Sequence, residues 1–226
     1  MSFAFILLKS YYIQMKKLLI LCALTITFLG LKAQDNEAKI YLIKSGYIEY
    51  ELTGSITGTR TIWWDNYGEW SYEEEKTVTK MKVFGMTSEE KKHTITVSKD
   101  GLFWTANMLD HTGIKGKEMA EDIQEDISEM DEEELEKTGR ELFESMGGKK
   151  LPPETFLGRK CNVLEIMGAK TYIYMNTPLK STIDLMGIKA NATAIKMEEN
   201  ISVPASKFTP IDGIEYQEMP EEYDFF

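Results

Sequence analysis

Cysteine and histidine are scarce: two of each in 226 residues. Cys22 falls inside an apolar N-terminal run, so a chain that loses that run keeps Cys161 alone and can form no internal disulfide. A lone cysteine with no base nearby is a small apolar residue for packing. The histidines, His93 and His111, stand in no metal-ligand spacing of the H-E-x-x-H or C-x-x-C kind. No G-x-S-x-G elbow and no glycine-rich phosphate loop occurs. A triad from His111, Asp110 and a distant serine stays open, although sequence neighbours are poorly placed to act as base and orienter. No metal, no cofactor and no enzymatic activity are expected.

Positive charge is also in short supply. Lys and Arg number 26 against 37 Asp and Glu, a net charge of −11. Residues 1–33 hold four lysines and no acids, so the rest of the chain stands at 22 basic against 37 acidic side chains, or −15. Such a surface repels phosphate backbones, which excludes nucleic acid as a partner. The acidic stretch Glu118–Glu136 lacks the spacing and turn glycine of a calcium loop and reads as a solvated helix face.

No apolar run reaches the roughly 20 residues of a membrane span. What is present is a secretory signal pattern: Lys16-Lys17, an apolar core Leu18–Leu31 of about 14 residues, and Ala33 before Gln34. Cleavage after Ala33 and a periplasmic or secreted product are expected, with residues 1–14 an extension ahead of a better start at Met15. The remainder suits one domain, residues 34–214, with an acidic flexible tail at 215–226.

Within that domain two β-rich blocks flank a helical one. Tyr47 to Leu52 alternates, with Ile48, Tyr50 and Leu52 on one face and Glu49 and Glu51 on the other. Gly54 and Gly58 mark turns, Thr59–Asp65 a strand, and Trp70–Phe84 a long strand whose Glu73-Glu74-Glu75 suggests an edge or a bend. Asp100-Gly101 between His93–Ser98 and Leu102–Asn107 is a hairpin signal. Residues 117–146 change period: Met119, Ile123, Ile127 and Met130 make one stripe, and Asp131 with Glu134 resembles a capping box. Gly147-Gly148 ends the block, a helix pair or one kinked helix. Hairpin signals resume with Lys160–Met167 and Lys170–Met175 about Gly168-Ala169, then a strand or hairpin over Gly187–Asn200. The pattern predicts eight to ten antiparallel strands with helices inserted in the middle, an α+β domain.

Aromatic residues concentrate in the β blocks: Trp63, Trp64, Trp70 and Trp104 in the first, Tyr172 and Tyr174 in the second. They serve either ordinary core packing or an apolar concave face for a greasy ligand. Trp63 and Trp64 are adjacent, so in a regular strand they face opposite sides, one toward a ligand or under the helices.

The segments Pro153–Cys161, Gly168–Tyr174, Thr177–Ser181, Asn200–Pro204 and Phe208 carry a pattern similar to a group of exported Gram-negative proteins. These in turn resemble the superfamily of the outer-membrane lipoprotein carrier and lipoprotein receptor. The resemblance covers mainly residues 153–210 and rests on turn and strand-end residues. It implies an incompletely closed antiparallel β-barrel, a half-barrel, with an inserted helical lid at 117–146. It also implies a carrier or chaperone that holds a lipid or other hydrophobic ligand on the concave face. The candidate contacts are Tyr50, Ile62, Trp64, Trp104, Tyr172 and Tyr174 from the sheet and Ile123 and Ile127 from the lid. A monomer is expected, with a cell-envelope protein as a possible partner. The competing expectation is a cell-envelope structural or interaction protein with a packed barrel and no ligand.

Overall fold

The structure is a computed structural model that describes residues 39–83, 86–118, 132–185 and 188–219. Two antiparallel meanders meet along one seam. The first runs through β1 (Gly46–Gly54), β2 (Ile56–Asp65), β3 (Trp70–Val83), β4 (Met86–Lys99), β5 (Leu102–Asn107) and β6 (Thr112–Lys117). A helix, α1 (Glu132–Ser145), precedes the second: β7 (Lys149–Phe156), β8 (Arg159–Ile166), β9 (Ala169–Tyr174), β10 (Thr177–Leu185) and β11 (Ile188–Glu199). β11 pairs antiparallel with β1 and joins the two. A last strand, β12 (Glu215–Glu218), lies parallel on β6. The described residues thus form one open sheet of twelve strands in the order β12-β6-β5-β4-β3-β2-β1-β11-β10-β9-β8-β7. This exceeds the eight to ten strands expected, and one pair is parallel.

Turn chemistry explains the short hairpins. Both residues have positive φ at Asp100-Gly101 (53° and 74°), Leu157-Gly158 (48° and 72°), Met167-Gly168 (48° and 78°) and Met175-Asn176 (47° and 61°). Two-residue turns with this signature match the right-handed twist of the strands they join. The turn expected at Gly168-Ala169 is therefore one residue earlier. Gly58 is not a turn: it lies inside β2, where a Cβ would stand 1.9 Å from the Lys76 carbonyl oxygen. The constraint is the close approach of β3. Nor is Glu73-Glu74-Glu75 at an edge or bend, because β3 is bonded along its length to β2 and β4.

The alternation in β1 buries Ile48, Tyr50 and Leu52. They join Ile43, Trp64, Cys161, Val163, Tyr172, Leu179, Ala194 and Met197 in the main apolar cluster. Burial of each large side chain is worth roughly 1.5–3 kcal/mol. A second cluster, Tyr72, Ile95 and Val97 with Trp63, Trp104, Met108 and Ile211 around it, lies on the opposite face of the first meander.

Two chain segments close these faces. Residues 39–45 lace the main cluster at one end of the sheet. The Tyr41 N–H donates to Tyr67 O (2.8 Å), the Leu42 N–H to Met175 O (3.1 Å), and the Ser45 hydroxyl to Ile201 O (2.7 Å). After β11 a strap crosses the other face. Its short 3-10 turn Ala205–Phe208 packs on β3 and β4, and Phe208 is buried with its ring 6.0 Å from Trp70. The strap ends as β12, so the tail expected to be flexible from residue 215 begins as a strand. Pairing supplies partners to backbone groups that an edge strand leaves open.

The helical block is described only from Glu132 to Ser145. Met119, Ile123, Ile127, Met130 and Asp131 lie outside the described residues. The end of α1 matches its sequence: Gly147 has φ 74°, its N–H donates to Glu144 O (2.9 Å), and the Gly148 N–H donates to Phe143 O (2.8 Å). This pair of bonds is a Schellman cap. No helix among the described residues is long and apolar enough to cross a membrane. The connection from β6 to β7 starts one strand from one edge and returns at the other edge. Laid flat, that is ten strand spacings, about 48 Å.

Candidate ligand-binding surface

Five of the eight residues expected to touch a ligand come together. Tyr50, Trp64 and Tyr172 are members of the main cluster, and Ile62 and Tyr174 are half-buried on its margin with Tyr41, Leu151, Phe156 and Ala192. Trp104 belongs to the second cluster, with Ile211 of the strap. Ile123 and Ile127 fall outside the described residues.

The adjacent tryptophans divide as a strand requires. Trp64 pairs with Gly46 and shares the face of Ile48 and Tyr50, while Trp63 pairs with Tyr47 on one side and Tyr72 on the other. Trp64 has 0% of its surface exposed; its Nε1–H donates to Ile43 O at 3.0 Å, and its ring lies 4.8 Å from that of Tyr41. Trp63 contacts Tyr47 at 4.4 Å and carries the Lys207 ammonium of the strap 5.3 Å over its ring. It therefore lies under the strap.

Tyr50 donates from its hydroxyl to Pro178 O at 2.6 Å, and burial pushes its pKa well above the ordinary value. It stays neutral and fixed. Its register partner on β2 is Arg60. The guanidinium meets Glu73 at 3.2 Å and Glu75 at 2.5 Å, and Lys92 meets Glu75 at 3.1 Å. Burial pushes the Glu75 carboxyl up, but Arg60 and Lys92 outweigh it and hold the carboxyl below its usual range. Glu74, on the opposite side of β3, lies 2.9 Å from His93 Nε2 and 2.6 Å from Lys76 Nζ. The triple acid is split between two faces, each with its own cations.

A second polar group surrounds the later tyrosines. Lys170 lies 4.9 Å over the Tyr172 ring and pairs with Glu154 at 2.8 Å. Lys180 lies 5.3 Å over the same ring and 5.8 Å over Phe156. Arg159 lies 5.7 Å over Tyr174 and pairs with Glu199 at 2.7 Å. The sequence reading missed these cations. Lys170, Tyr172 and Tyr174 share the i, i+2 spacing of one strand face, which was the available signal. Asp110, weighed as an orienter for His111, instead accepts from the Thr112 N–H (3.1 Å) and hydroxyl (2.7 Å) and from Asn107 Nδ2 (2.9 Å). It closes the β5–β6 turn. Burial pushes the Cys161 thiol up, as expected of a packing residue.

The architecture these elements define is an open, mainly antiparallel, sheet-dominated fold with two apolar clusters on opposite faces. No family model matches the chain, and no curated protein matches it. Similar solved structures include an uncharacterized conserved protein from Thermus thermophilus, with a TM-score of 0.49 and 9% identity over 79% of this chain and 92% of that one. They also include MucB, with a TM-score of 0.42 and 10% identity over 84% of this chain and 62% of that one.

Proposed function

We propose that this chain is an exported, non-catalytic carrier or chaperone of the cell envelope that binds a lipid or other hydrophobic ligand. The ligand lies on the apolar face of an incompletely closed half-barrel, against the margin formed by Tyr41, Ile62, Phe156 and Tyr174. Residues 117–146 serve as the lid. The observation that carries this reading is an open sheet whose main apolar cluster keeps a half-buried apolar margin. The connection between strands at opposite sides of the sheet supports the lid. A ligand seated there gains about 25 cal/mol for each Å² of apolar surface removed from water.

Export is tested first. Expressed with its native N-terminus, the mature protein is expected in the periplasm or medium, beginning near Gln34. An exported protein that still starts at Met1 or Met15 rejects the signal.

Binding is tested by titrating delipidated protein with cis-parinaric acid. Saturable fluorescence enhancement is expected, and Ile123→Ala with Ile127→Ala should weaken it while moving the melting temperature little. The packed, ligand-free alternative draws support from the complete burial of Trp64, Ile48 and Leu179 at the cluster's centre. It predicts no saturable binding by the wild type and a sharp loss of melting temperature in the double variant.

A further inference from the structure

We infer that the ligand is an anionic amphiphile, with its carboxylate or phosphate head on Lys180 and its hydrocarbon on the neighbouring apolar margin. This rests on the carrier reading and narrows it to a ligand class. The chain has a surplus of acid, yet three cations gather over the aromatic rings at this one place: Lys170, Lys180 and Arg159. Two of them are held by carboxylates, Lys170 by Glu154 and Arg159 by Glu199. Among the described residues Lys180 has no carboxylate within ion-pair distance. Its field reaches Glu154, whose carboxyl is held low first by Lys170 and more weakly by Lys180. The group therefore counts three positive charges against two negative ones.

Lys180 is also half-buried. It stands in β10 directly opposite Tyr172 of β9 and Thr193 of β11, with its ammonium over the Tyr172 and Phe156 rings. Holding an ammonium there costs hydration that two ring faces restore only in part. A bare hydrocarbon gains nothing from such a cation. An anionic head gains a charge-assisted contact, and its chain can lie on Phe156 and Tyr174, which pack against the main cluster.

The test uses the full mature protein, delipidated, with cis-parinaric acid and its methyl ester, which share one hydrocarbon chain and differ in a charged carboxylate against a neutral ester head. At about 0.15 M salt, where exposed charges are largely screened beyond about 8 Å, the acid should bind about tenfold tighter than the ester. Lys180→Met keeps the aliphatic stem over the rings and removes the charge; it should abolish that preference, so that acid binds no tighter than ester, without lowering the melting temperature. Lys180→Arg should retain the preference. Equal binding of acid and ester by the wild type overturns the anionic assignment and leaves the carrier reading standing. A preference that survives in Lys180→Met overturns the role of Lys180. Binding of neither probe overturns the carrier reading itself. Displacement of bound acid by lysophosphatidylglycerol at lower concentration than by palmitate assigns the head as phosphate, and the reverse order assigns carboxylate.

Discussion

Replacing Trp64 with alanine is expected to cost about 3–5 kcal/mol, the range for emptying a large aromatic site in a core. For a domain of this size that lowers the melting temperature by about 6–20 °C. The ring is wholly enclosed, lies against Tyr41, and donates to Ile43 O. Its removal leaves a cavity and an unpaired carbonyl together. The site cannot collapse easily, because the opposite strand already comes as close as it can: a Cβ on Gly46 would lie 2.3 Å from the Trp64 ring. Trp64→Phe keeps a ring and loses the hydrogen bond, so it should lose less. Trp63→Ala, half-buried on the other face, should also lose less. Thermal and denaturant melts of the three variants check the order. A Trp64→Ala protein that melts within a degree or two of the wild type would show that the ring does not anchor the cluster.

Removing the strap is the second large change. A chain ending at Pro204 loses Phe208 and Ile211 from the face of Tyr72, Val97 and Trp104, and loses β12 from the side of β6. The loss of apolar burial alone is roughly 5 kcal/mol, comparable with the whole stability of many domains. The uncovered β6 edge then presents free N–H and C=O groups to other chains. The expected result is a lower denaturant midpoint, strong binding of a hydrophobic dye and self-association on size exclusion. Phe208→Ala supplies a graded version that should still fold, with a loss of about 3–5 kcal/mol. A truncated chain that stays monomeric with an unchanged midpoint would show that the strap contributes nothing to the fold.

Strands were legible wherever the signal was local. The alternation of Ile48, Tyr50 and Leu52, the hairpin at Asp100-Gly101 and the helix stop at Gly147-Gly148 each depend on residues within a few positions of one another. The reading failed where a residue's meaning depends on a distant partner. Gly58 resembles a turn glycine until β3 is laid beside it. Glu73-Glu74-Glu75 resembles an exposed edge until Arg60 and Lys92 are found on one side and Lys76 and His93 on the other. The candidate site was half legible for the same reason. Aromatic residues mark themselves, but Lys180 gains its meaning only from lying over Phe156 of β7 and Tyr172 of β9.

The sequence by itself determined that Trp63 and Trp64 point to opposite sides, because successive side chains of a strand alternate. It determined too that two strand-rich blocks flank a helical one, with one cysteine left after Cys22 and an excess of acid. Only the tertiary structure decided which tryptophan is sealed and by what. Residues 39–45 close over Trp64, and the strap from Pro204 to Ile211 closes over Trp63. It also decided that β1 and β11 form the seam, which leaves β7 and β12 as the edges of an open sheet. The physical reason is range. Pleat and turn preferences act between neighbours, whereas strand order and the choice of covering segment come from pairings between residues far apart in the chain, where many registers are sterically possible and total burial selects among them.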